Sequence, residues 1–158
     1  MPTLSEFLKE KAVSAADQIE GRRLREEWLA SLRRLMDQLM EWLRAADGES
    51  ILEIYPVTKM AVERKLGFYE VSMLKVILGN KEVKIEPVGR QVLAYSGTYR
   101  EVGWRADGWV RISDGLTRYD LLRRTVDGDE SWHLVAENGK VTPLDQPAFE
   151  AVIQELLS

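Results

Sequence analysis

Apolar and polar positions divide the chain into a helical first third and a strand-rich remainder. Thr3-Leu4-Ser5-Glu6 has the form of a capping box, in which a hydroxyl and a carboxylate satisfy each other's backbone amides at a helix start. Leu4, Phe7, Leu8, Ala12, Ala15, Ala16 and Ile19 then recur at helical spacing. A stronger run follows in Leu24, Trp28, Leu32, Leu35, Leu39 and Trp42, flanked by Leu29, Met36, Met40 and Leu43. The two runs are out of phase: at ~100° per residue, Ile19 lies opposite Trp28. Gly21 sits at the slip, and glycine costs a helix about 1 kcal/mol relative to alanine. The pattern therefore predicts a break or kink near Gly21, with Asp47-Gly48 as the stop and Gly48 in the left-handed conformation. Arg22 with Glu26 and Arg23 with Glu27 are spaced as solvent-side ion pairs.

The second run spans an arc of roughly 160°, wider than a coiled-coil seam. One sheet face covers part of it, so the width predicts a further contact with the first helix or with another copy of the chain. Trp28, Leu32, Leu35, Met36, Leu39, Met40 and Trp42 are accordingly the candidate partner-binding residues of the arm. The competing reading makes them the core-facing side of a monomer.

Beyond Gly48 the period changes to that of strands. Strands are predicted over 51–55, 68–78, 83–86, 91–96, 109–113, 118–126 and 132–137. Gly79-Asn80, Asp114-Gly115, Asp127-Gly128 and Asn138-Gly139 separate them, and such pairs favour tight hairpin turns. No βαβ crossover is visible. Thr142-Pro143 leads into a last helix with Phe149, Val152, Ile153, Leu156 and Leu157 on its apolar side. The predicted class is α+β: an N-terminal helical arm of two helices or one kinked helix, an antiparallel β meander forming a curved sheet or partly closed barrel, and a C-terminal helix. The arm takes residues 1–46, and the β domain with its closing helix takes 47–158. A β roll closed by a C-terminal helix resembles the pleckstrin-homology-like layout, a likeness of architecture that implies no function.

Composition narrows the chemistry. The 158 residues include no cysteine, which removes disulfides, thiolate metal sites and cysteine nucleophiles together. Neither a leader nor an apolar span of membrane length is recognisable, so the expected setting is cytoplasmic, without a membrane. Net charge is −4, and the acids concentrate beyond residue 125, where seven oppose Lys140 alone. Such a negative pole supplies solubility or meets a basic partner.

Catalytic signals are weak. His133, the single histidine, stands near Asp127-Gly128-Asp129-Glu130, but no nucleophile accompanies it. The acidic turn lacks the spacing of a calcium loop, and Gly79-Asn80-Lys81 lacks that of a phosphate loop. The strongest polar pattern lies at 90–124, where seven arginines are interleaved with Tyr95, Tyr99, Trp104, Trp109 and Tyr119. Arg100, Trp104, Arg105, Trp109, Arg111 and Arg123 form the candidate polar face. Arginine and aromatic side chains on a sheet serve phosphate contact and base stacking, or protein recognition.

The expected function is a non-catalytic protein-interaction or adaptor module that self-associates through its arm, as a homodimer, or docks a protein partner. It is expected to need neither cofactor nor metal. The alternative is single-stranded nucleic acid binding through the arginine and aromatic face. A third class, an enzyme or small-ligand binder, requires a pocket lined by Tyr95, Trp109 or His133.

Overall fold

In a computed structural model, which describes residues 2–91 and 103–158 (residues 12–15 as backbone), one long helix lies across an antiparallel sheet. Helix α1 spans Leu4–Ala46. The strands are β1 (Glu53–Glu63), β2 (Gly67–Leu78), β3 (Lys81–Gly89), β4 (Trp109–Ser113), β5 (Arg118–Val126), β6 (Asp129–Val135) and β7 (Val141–Pro143). Helix α2 covers Gln146–Leu157. The seven strands pair in chain order, so among the described residues the sheet is open, with β1 and β7 as its edges. Among the described residues the strands do not close into a barrel or a pleckstrin-homology-like roll.

The capping box is present. Thr3 Oγ1 accepts from the Glu6 amide at 3.2 Å and Glu6 Oε2 accepts from the Thr3 amide at 3.2 Å. The expected break at Gly21 is absent, and α1 is a single helix from Leu4 to Ala46. Gly21 answers to a different constraint. A Cβ there would lie 2.4 Å from the Lys65 carbonyl oxygen, so the glycine lets α1 approach the backbone of the β1–β2 turn. At the far end the left-handed residue is Ser50 (φ 54°), not Gly48. Asp47 closes the helix, its carboxylate accepting from the amides of Ile51 and Leu52 at 2.9 and 2.8 Å.

The hairpin turns follow their local chemistry. Asp127 and Gly128 both take positive φ, 52° and 83°, as a two-residue primed turn requires. The Asp114 carboxylate accepts from the amides of Leu116 and Thr117, which holds that carboxyl below the usual range. β1 runs eight residues past the strand the pattern predicts, because an edge strand tolerates Pro56. The predicted strand 91–96 lies almost wholly outside the described residues.

One face of the sheet carries Val83 and Ile85 of β3, Val110 and Ile112 of β4, Leu121 of β5 and Leu134 of β6, all buried. Residues 28–43 of α1 and the Phe149, Val152, Ile153 and Leu156 side of α2 cover that face, forming one core. In β2 the core-facing side changes between Val71 and Leu74, where Met73 and Leu74 are both buried. The outer face bears a smaller cluster of Ala106, Leu122 and Val135, with Trp104, Trp109 and Val141 beside it. Among the described residues no helix is long and apolar enough to cross a membrane.

Candidate interaction surfaces

The wide apolar arc of α1 is seated within its own chain. Trp28, Leu32, Leu35, Met36 and Leu39 are buried, and Met40 and Trp42 are partly so. Trp28 meets Trp132 with ring centroids 6.2 Å apart, and Trp42 meets Phe149 at 5.8 Å. The further contact that the arc requires comes from α2. Glycine assists here too: a Cβ at Gly108 would lie 2.5 Å from the Trp28 ring.

Arg123 departs most from the sequence expectation. It lies not on the outer polar face but beneath α1, 1% exposed. Its position follows from strand alternation, since residues 121 and 123 share a side of β5. Glu27 grips the guanidinium at two points, 2.6 and 3.1 Å, so Glu27 pairs with Arg123 rather than with Arg23. The Asp107 carbonyl accepts from Nε and Nη2 at 3.0 and 2.8 Å, and the Trp28 ring lies 5.1 Å away. Glu130 stands 3.4 Å from Nη1 and also receives the Ser31 hydroxyl and, at 3.1 Å, Arg34. Glu27 takes Arg90 as well, at 3.2 Å. Burial raises the Glu27 carboxyl's pKa, but Arg123 and Arg90 more than offset this and hold it below the ordinary value. Glu130, the second residue of β6, thus finds basic partners in its own chain. Arg23 instead binds Glu20 at 2.6 Å.

The outer face keeps Trp109 and Arg111 of β4, with Trp104 packed on the cluster there. Trp104, Trp109 and Arg111 are half-buried and Arg105 is exposed, whereas Arg100, Tyr95 and Tyr99 lie outside the described residues. Trp109 donates its indole N–H to Asp120 at 2.6 Å, under the Arg111 guanidinium at 5.2 Å from the ring. The Arg124 guanidinium lies over the Trp104 ring at 5.3 Å, and His133 meets that ring at 4.9 Å with its plane tilted by 58°. His133 Nε2 lies 3.1 Å from the Ser131 hydroxyl. Burial first and Arg124 second lower its pKa, favouring neutral imidazole. Among the described residues, no group of three metal-ligating side chains converges.

Two exposed apolar surfaces complete the picture, and both were missed as sites. Every described side chain from Leu4 to Glu20 is exposed, including Leu4, Phe7, Leu8 and Ile19. The phase slip was the signal for this. In an unbroken helix, a stripe opposite Trp28 points away from the sheet that Trp28 is packed against. The second surface lies at the end of the β1–β2 hairpin. Val62 and Phe68 are register partners and stand 63% and 75% exposed, with Met60 at 61% on the same side.

The chain matches no protein-family model, and no curated protein or solved structure is significantly similar to it.

Proposed function

We propose that this protein is a protein-interaction module whose contact element is the first half of α1. The exposure of that half carries the reading. Every described side chain of helix 4–20 is exposed, and Leu4, Phe7, Leu8 and Ile19 are presented to solvent. A helix of this length is marginal alone in water, and most helical stability comes from packing an amphipathic face. Two bases, Lys9 and Lys11, against four acids, Glu6, Glu10, Asp17 and Glu20, disfavour an anionic partner such as a membrane surface or nucleic acid. A photo-crosslinking residue at position 8 tests the reading in cells producing the full chain. A discrete protein adduct is expected there and none from the same probe at Glu82 on the sheet; no adduct at position 8 overturns it.

A second reading, single-stranded nucleic acid binding, is favoured by the adjacent stacks of Arg111 on Trp109 and Arg124 on Trp104. The Asp120 carboxylate beneath Trp109 weighs against it. This reading expects salt-dependent binding of a labelled oligonucleotide that weakens in Trp109→Ala and Arg124→Ala. No binding at low salt ends it.

A further inference from the structure

We infer that the occupant of the arm is a second copy of this chain, each arm lying across the Met60, Val62 and Phe68 face of the other copy's hairpin. This rests on the reading of the arm as a contact element and specifies its partner. Both apolar surfaces sit at the same end of the molecule. Gly21 packs on Lys65, so the arm leaves the body where the β1–β2 hairpin ends. The arm does not fold back on its own hairpin, because α1 continues unbroken through Gly21. Reciprocal exchange about a two-fold axis brings each surface to its counterpart.

Charge fits the exchange. Glu6 and Glu10, in the first two turns of the arm, make no ion pair among the described residues, and neither do Arg64 and Lys65 at the hairpin tip. The acidic arm of one copy thus meets the basic tip of the other.

Size favours two contacts over one. At 1.5 Å per residue and about 10 Å across, the arm is ~25 Å long and covers about 250 Å² of a partner. One arm on one hairpin therefore buries roughly 500 Å² in total, about half the ~1,000 Å² that a specific interface must reach; two reciprocal contacts come to about that bound.

Light scattering on the purified full chain, combined with two charge-insertion variants, tests this. The arm variant is Phe7→Glu with Leu8→Glu, and the hairpin variant is Val62→Glu with Phe68→Glu. All four positions are exposed, so circular dichroism should match the parent protein, as should melting at a dilution where the parent is dissociated. The expected result is a dimer in the parent and a Kd weakened about tenfold or more in each variant. Mixing the two variants restores association in part, because the mixed pair keeps one intact arm and one intact hairpin. A monomeric parent, a dimer indifferent to the hairpin variant, or no rescue on mixing overturns the inference. The crosslinking experiment separates the two failures: an adduct with a different protein at position 8 ends the second-copy inference and leaves the interaction reading standing.

Discussion

Glu27 of α1 holds the Arg123 guanidinium of β5 at two points, 2.6 and 3.1 Å, across 96 positions of sequence. Around that pair α1 is registered on the sheet, for Asp107, Glu130 and Trp28 all converge on the same side chain. Only the guanidinium of this cluster is buried; Glu27, Asp107 and Glu130 keep 41%, 26% and 22% of their side-chain surface in water. Losing the arginine leaves acids that solvent partly screens, so Arg123→Ala should cost about 1–3 kcal/mol of folding free energy in urea titration, below the range for a fully buried pair. No measurable cost would mean that the pair does not register α1 on the sheet.

Gly21→Ala separates helix propensity from close packing. In an ordinary helix interior the change stabilises by about 1 kcal/mol. Here the added Cβ meets a backbone carbonyl at 2.4 Å, which has little room to retreat. Thermal melting should show a loss of about 1–3 kcal/mol. A gain would place the β1–β2 turn farther from α1.

The two halves of α1 should respond oppositely to truncation. Leu39 is fully buried, and Leu39→Ala is expected to cost about 2–5 kcal/mol. Phe7→Ala and Leu8→Ala should leave the dilute protein within about 0.5 kcal/mol of the parent, since those side chains face water. Denaturant midpoints at low concentration provide the comparison.

Stability should fall in two stages on acidification. His133 has its pKa lowered in the fold, so its share is complete above the ordinary histidine value of about 6.5 and declines as pH drops through the folded value. Glu27, whose folded pKa is also lowered, contributes fully above the ordinary glutamate value of about 4.3, and that contribution is lost below it. Urea midpoints at pH 7 and pH 5.5 should differ in the parent, and His133→Gln should flatten the difference. An unchanged slope in the variant would assign the first stage to other groups.

Local chemistry made much of the fold readable. Aspartate–glycine turns bracket β5, alternation marks β4, and both strands have the bounds the pattern predicts. β7 was missed because three residues show no period. Gly21 was misread because propensity says what a glycine costs, not which backbone approaches it. Among the candidate site residues, Arg123 was grouped with its neighbours by composition, although parity with Leu121 places it on the core side. The cover over the arc of α1 could not be read at all, since α2 reaches Trp42 from more than a hundred residues away.

The unbroken passage of α1 through Gly21 decides what kind of connector the arm is. A hinge there would have made a tether, free to swing and to report only that something had been caught. A continuous helix is a strut. Whatever grips its first turns is held at a set angle and distance from the sheet, and a pull on the arm arrives at the Glu27–Arg123 pair two turns further along.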